Sequence, residues 1–319
     1  MTDPATREAA PAPHPIAHPG ARDYALLVLL AALWGGSFLL IKLAVATVPP
    51  LTVAAGRTLV GALLMGAVLA MRGVRPPSDG RTWAKLALMG TVGTVLPFAL
   101  ISWGERHIDS GLAAILMSAV PLFTIVLAHM LRSDEKITIG KAAALVLGGV
   151  GVVVLVGPDV LRGIGGDLLG QLAVLLAALC YAVNGLTART LTGQPAIVVA
   201  AGMLITAAMA GVPLALLIDR PWETEASALS LLAVVALGVL PTALGYLIAL
   251  RIIASAGAGF ASLNNYLVPV FGVFWGMVFL AEKLHPQALL ALLLIFLGLA
   301  APRLIPSRGN GMRGADRRP

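Results

Sequence analysis

Apolar residues in this chain arrive in unbroken blocks separated by short polar segments, rather than as the one-face stripes of a soluble helix. Each block runs to about twenty residues, the length that carries a helix across a hydrocarbon core of about 30 Å, where unbonded backbone groups are not tolerated. Ten blocks qualify, at 24–46, 50–71, 83–103, 111–131, 137–157, 168–188, 195–218, 226–250, 258–281 and 287–305. The fifth and tenth reach spanning length only with their polar edges included. The predicted fold is an all-α polytopic membrane protein of ten transmembrane helices.

Composition agrees: of 319 residues, 59% are hydrophobic and 12% charged, against about 45–50% and about 25% in soluble domains. The net charge of +7 would raise nucleic-acid binding in a soluble protein, but here the basic residues sit between apolar blocks and read as topology signals. Of the 22 Lys and Arg residues, Arg106, Arg162, Arg220 and Lys283 fall in outer segments and Lys42 and Arg57 well inside spans; the remaining sixteen lie in inner segments or at the inner edges of spans if the amino terminus is inside. Both termini are therefore expected in the cytoplasm, in a cell (inner) membrane. Residues 1–23, rich in Pro and Ala, read as a disordered cytoplasmic tail, and 306–319 as a basic tail near anionic headgroups. The first apolar block is too long for a signal-peptide core and lacks a small-residue cleavage pattern.

The two halves of the chain correspond. GLAAILMSAVPLFTIVLAHMLRSDEK at 111–136 resembles GAGFASLNNYLVPVFGVFWGMVFLAEK at 257–283, pairing Pro121 with Pro269 and Glu135 with Glu282. Val-Leu-Pro ends at both Pro97 and Pro241, and Trp34 and Tyr181 stand 87 and 88 residues before the matched prolines Pro121 and Pro269. The period is five spans, an odd number, so the second copy enters the membrane inverted: 24–157 and 168–305 form two inverted five-helix repeats joined by a linker at 158–167. Inverted repeats build secondary transporters, whose substrate site lies near the midplane between rocking halves. Duplication without transport would give only a packed bundle.

WGGSFLLIKLA in span one, VAAGRTLVGALL in span two, GERHIDSGLAAILMSAVPLFTIVLAHMLRSDEK across spans three and four and ALCYAVNGLTAR in span six together resemble the EamA-type branch of the drug/metabolite transporter superfamily. The resemblance covers residues 23–305 and implies ten helices in two inverted repeats, a central cavity, and export or exchange of small metabolites, often amino acids. The chain departs from equivalence of its halves at Arg57, which has no basic counterpart near Leu204.

Ionisable groups inside a bilayer are costly and face a cavity or a partner. Lys42 and Arg57 sit at similar depth on adjacent helices, with Glu105 and Asp109 in the nearby connection. Each cation suits a substrate carboxylate; the competing roles are snorkelling for Lys42 and helix clamping for Arg57, slightly preferred for the latter. Trp34 with Ser37, and Tyr181 with Asn184, place an aromatic and a polar group on one face of symmetry-related helices. Ser118 precedes Pro121, and Asn264, Asn265 and Tyr266 precede Pro269, where prolines free backbone carbonyls. These residues are the expected substrate-binding set, with interhelical hydrogen bonding as the rival use. Pro97, Pro121, Pro241 and Pro269 are the candidate hinges, with static kinks as the simpler reading. The glycines at 35, 36, 148, 149, 151, 272 and 276 are read as helix-packing positions.

No metal or cofactor is expected: Cys180 is the one cysteine, and His14, His18, His107, His129 and His285 lie in the tail or near span ends. An intramembrane protease would need a span-borne His-Glu-x-x-His, a pair of buried aspartates or a serine with a nearby histidine, so the chain is not read as an enzyme. Efflux of cationic drugs is the alternative function, and a non-transporting assembly subunit the less favoured one. With no Asp or Glu well inside a span, facilitated diffusion or exchange is expected, or coupling through a group at the cavity mouth such as Glu105. The partners are a small-molecule metabolite and the lipid bilayer, with no nucleic acid and with monomer and homodimer both open.

Overall fold

The computed structural model describes residues 19–131, 137–161 and 166–304. Glu135, residues 162–165 of the expected linker and the expected tails, apart from their inner edges, lie outside the described residues. Among the described residues there are ten long helices and no strand: α1 (Ala21–Ala44), α2 (Pro50–Met71), α3 (Gly80–Gly104), α4 (Ser110–Leu131), α5 (Ile139–Leu161), α6 (Gly166–Ala188), α7 (Ala196–Ile218), α8 (Ala228–Ala261), α9 (Asn264–Leu280) and α10 (Pro286–Leu304). Eight are long and apolar enough to cross a bilayer, and α9 and α10 are shorter apolar helices. Their outward faces carry large apolar side chains such as Leu63, Val153, Leu232 and Phe279, which in water would be an aggregating surface and in lipid is the expected one.

Most helix ends fall within a few residues of the apolar block ends; the exception is the boundary between spans eight and nine. There, α8 runs on to Ala261 rather than ending near 250, and is broken at Gly257 with φ +83°. That left-handed conformation is open to glycine without a Cβ penalty, so the backbone turns there and a last helical turn leads into α9. The other irregularities are a 3-10 turn at Met117–Ala119 in α4 and two π-helical turns, Thr91–Val95 in α3 and Gly238–Leu244 in α8. Each π turn accompanies a Val-Leu-Pro, so the two halves carry the same distortion in matched places.

The helices alternate direction, giving a near end that holds the start of α1 and a far end that holds the α1–α2, α3–α4 and α9–α10 connections. α5 and α10 pack on each other at the flank, where a Cβ on Gly151 would stand 2.9 Å from the Ala291 carbonyl oxygen, and one on Gly298 3.0 Å from that of Ala144. Gly149, by contrast, faces open space. α1 and α9 approach just as closely: a Cβ on Gly35 would stand 2.8 Å from both the Gly272 nitrogen and the Val268 oxygen. The far half of α4 packs on α9 and α1, whereas its near half packs on α6 and α5. α4 and α9 thus converge at the far end and part towards the near end.

Candidate functional site

Where these helices part they leave a cavity of about 470 Å³, lined from both halves by α1, α2, α3, α4, α6, α8 and α9. The structure brings Trp34, Ser37, Arg57, Ser118, Tyr181, Asn184, Asn264 and Asn265 to its wall, together with Pro121, Pro241 and Pro269. Lys42, Tyr266 and Pro97 are not in that wall. The Tyr266 ring packs on Phe296 of α10 at 5.7 Å, and Pro97 is buried beside the π turn of α3. Lys42 donates from Nζ to the main-chain oxygens of Glu105 and Ile108, both at 2.7 Å. Its charge therefore caps the end of α3, where helix carbonyls lack partners.

Arg57 is buried, at 7% exposure. Its Nε donates to Thr242 Oγ1 at 2.8 Å, and its guanidinium carbon lies 3.7 Å from the centre of the Phe98 ring. The Thr242 hydroxyl in turn donates to the Leu237 oxygen at 2.8 Å, a carbonyl four residues before Pro241, which has no N–H to offer it. Since that hydroxyl has one hydrogen, its remaining capacity is to accept from Arg57. Phe98 and Thr242 are symmetry mates, each directly following the proline of a Val-Leu-Pro. Two equivalent positions thus grip one cation that has no ion pair among the described residues, one by its face and one by its Nε–H. The terminal nitrogens of Arg57 make no hydrogen bond to the described residues and remain available as a fork.

Other polar groups around the cavity are equally uncommitted. Ser118 Oγ, Asn184 Oδ1 and both amide atoms of Asn264 are buried without a hydrogen-bond partner among the described residues. An unpaired buried polar group costs about 1–3 kcal/mol, so four such atoms in one cavity are a standing incentive for a polar occupant. The rest of the wall is braced. Trp34 donates from its indole to the Pro241 oxygen at 2.9 Å, a carbonyl within the α8 π turn. Asn184 donates from Nδ2 to the Gly93 oxygen at 3.2 Å, within the α3 π turn. The symmetry-related helices α1 and α6 thus each tie off the irregular turn of the opposite half. Ser37 bonds back to the Trp34 oxygen at 2.6 Å. Aromatic rings complete the enclosure, with Trp34 against Tyr246 at 6.4 Å and Phe98 against Tyr181 at 6.3 Å between centroids.

The far end is latched across the halves. The Glu282 carboxylate accepts from Ser110 N–H at 2.8 Å, Gly111 N–H at 2.9 Å and Ser110 Oγ at 2.9 Å, so the end of α9 caps the start of α4. Ser230 Oγ donates to the Leu43 oxygen at 2.8 Å, and the Asp219 carboxylate accepts from Thr52 N–H and Oγ1 at 2.7 and 2.9 Å.

The match to known proteins follows the same division of the chain. The EamA-like transporter family matches residues 23–157 and 168–301, one copy on each half. This chain belongs to that family. The pair of matched copies fits the inverted-repeat arrangement, and the chain is a multi-pass membrane transporter. Among its relatives, the "Uncharacterized transporter YoaV" of Bacillus subtilis (strain 168) is 22% identical over 86% of this chain and 94% of its own. The "Probable terminal-alkyne amino-acid exporter" of Streptantibioticus cattleyicolor is 27% identical over 90% of this chain and 94% of its own. A solved crystal structure aligns with a TM-score of 0.64 at 22% identity, covering 91% of this chain and 99% of that one, and so shares the fold.

Phe98, Thr242 and Tyr246 were outside the set expected from the sequence. The signal for the first two was present in the repeat: they are the residues that follow the matched prolines. Nothing in the hydropathy pattern pointed to Tyr246.

Proposed function

We propose that this protein exports or exchanges small carboxylate-bearing metabolites, amino acids or related compounds among them, by alternating access through the central cavity. The observation that carries this reading is Arg57: a buried cation with no carboxylate partner among the described residues, held so that two terminal nitrogens remain for a ligand. A guanidinium fork matches a carboxylate in two parallel hydrogen bonds. Asn264 and Asn184, with uncommitted oxygens in the same space, would accept from an ammonium group. The aromatic rings would take up the remaining apolar part. The relative described as a probable amino-acid exporter supports the same class.

In this reading the far end faces outward and both termini are cytoplasmic, as the distribution of basic residues favours. With α4 and α9 converging at the far end, the described conformation is closed to the outside. Clamping and recognition are then joint roles of Arg57, Nε serving the first and the terminal nitrogens the second. The test is release of labelled compounds from proteoliposomes loaded with amino acids, nucleobases, sugars and cationic drugs. Selective release of amino acids is expected. Release of the cationic drugs alone would overturn the carboxylate reading and establish multidrug efflux instead.

A further inference from the structure

Glu105 lies one residue beyond α3, at the far end, and is completely buried. Neither of its carboxylate oxygens has a hydrogen-bond partner among the described residues. An ionised carboxylate in that position would be stripped of water with nothing bonded to it, so the neutral acid is the favoured form. The adjacent cation does not relieve this: Lys42, from α1, directs its ammonium to the main-chain oxygens of Glu105 and Ile108. Arg57, from α2, is held by Thr242 and Phe98. Besides these two cations, Glu282 beyond α9 acts on it directly, and the far end nearby also carries Arg106, His107 and Asp109 on its own connection, Lys283 beside Glu282, His285 before α10 and Asp167 on α6. Three of these are carboxylates, two are cations, and Glu282 is tied into the latch.

We propose that Glu105 is a proton-binding site linked to the far gate, holding its proton while that end is closed and releasing it to the far side when that end opens. Opening withdraws Glu282 from Ser110 and Gly111, parts α4 from α9 and admits water to Glu105. The carboxyl O–H bond then breaks, the proton passes to that water, and the carboxylate left behind is solvated beside Lys42. Closing reverses each step. This inference rests on the transporter reading and on the far end being the closed gate, but not on the identity of the substrate.

Burial pushes the Glu105 carboxyl well above the ordinary carboxylate range; Glu282 adds to the shift, while Lys42 and Arg57 oppose it. Partial burial, Glu282 and Asp167 move the more exposed Asp109 the same way, against Lys42 and His285. The sign of the linkage follows. An acid whose pKa is higher in the closed state favours closure below the open-state pKa, and that preference is lost as pH rises through the closed-state value. Acid on the far side should therefore hold the gate shut and alkali should open it. Between the two pKa values the closed-to-open ratio falls by up to about tenfold per pH unit.

The experiment uses the full chain in lipid nanodiscs, with Cys180→Ala and spin labels on cysteines replacing the exposed Arg106 and Lys283 on either side of the latch. The short-distance population should shrink as pH rises. Glu105→Gln, a neutral isostere with no proton to release, should keep the low-pH distance distribution across the whole range. Asp109→Asn, altered at an exposed neighbour, should titrate as the parent does. A parent protein with no pH dependence, a Glu105→Gln protein that titrates like the parent, or loss of the response in Asp109→Asn would each overturn the proposal. Should Glu105→Gln fail to fold, infrared spectra of the parent decide: a protonated-carboxyl stretch lost over the pH range of the distance change supports the proposal, and its absence at low pH overturns it. Proteoliposome release, measured separately, shows whether a failure belongs to the gate or to the transporter reading.

Discussion

If Arg57 reads a carboxylate, deleting its charge should matter only to ligands that carry one. The perturbation is Arg57→Gln, which keeps a side chain able to bond Thr242 but removes the positive fork above Phe98. Arg57 is 7% exposed, so little solvent screening is available to discount its interaction. Truncating one partner of a buried, hydrogen-bonded charge pair costs about 2–5 kcal/mol, which is a factor of about 30 to several thousand in Kd. The assay is equilibrium binding of an amino acid and of its primary amide to the parent and the variant, a four-corner cycle in which any general loosening of the cavity cancels. The acid should lose at least about thirtyfold more affinity than the amide on substitution. Thr242→Val should reproduce a weaker form of the same selectivity, because it removes the acceptor that orients Nε without removing the charge. A cycle that closes with no coupling between Arg57 and the carboxylate would refute the reasoning and leave Arg57 a pure helix clamp.

Lys42→Met strips the cap from the Glu105 and Ile108 carbonyls and is expected to cost about 1–3 kcal/mol of stability; it should depress transport of acidic and neutral substrates alike in a flux assay, whereas a loss confined to acids would return Lys42 to the binding site. Gly35→Ala forces a methyl group into the α1–α9 contact and should destabilise by about 1–3 kcal/mol in thermal unfolding. The control Gly149→Ala, in open space, should be neutral or stabilising by about 0.5–1 kcal/mol; equal effects of the two substitutions would show that the α1–α9 approach is not tight. Glu282→Gln keeps the latch geometry but removes the anion from the start of α4, and should raise labelling of far-end cavity cysteines by a membrane-impermeant thiol reagent. No increase would show that the charge does not hold the gate.

Hydropathy made the ten helices legible because bilayer thickness imposes one length on every span. It reports depth along a helix but not direction around it. Lys42 and Arg57 share a depth, yet only Arg57 lines the cavity. On α1 the lining residues are Trp34, Ser37, Phe38 and Ile41, a helical face from whose centre Lys42 is turned by about 90° at about 100° per residue. That spacing was available in the chain and would have separated Lys42 from the others. The π turns were hidden for a different reason: widening a helix by one residue leaves its apolar character unchanged, so Thr91–Val95 and Gly238–Leu244 read as ordinary span interior. Burial of Glu105 was hidden too, because a polar residue in a short connection reads as solvated until the far-end latch closes over it.

In the proposed reading, the inverted repeat explains how one cation would become a site. Duplication supplies pairs: two Val-Leu-Pro turns, two π distortions, and the residues after them, Phe98 and Thr242, facing each other across the pseudo-twofold. A pair of identical functional residues at those positions would make a symmetric cavity with no preferred orientation for an asymmetric ligand. Here the pair has diverged in chemistry, an aromatic face on one side and a hydroxyl on the other, and both converge on Arg57. The position opposite Arg57 is near Leu204, which is fully buried in an apolar cluster with Met65, Leu86 and Met203. The charge therefore stands on one side of a two-sided cavity. Thr242 lies in the π turn to which Trp34 is anchored, and Phe98 lies three residues beyond the π turn to which Asn184 is anchored, so in the proposed mechanism rocking of one half against the other would shift the guanidinium relative to the uncommitted amides. In the proposed mechanism the symmetric scaffold would supply the motion and the unsymmetrical Arg57 the selectivity.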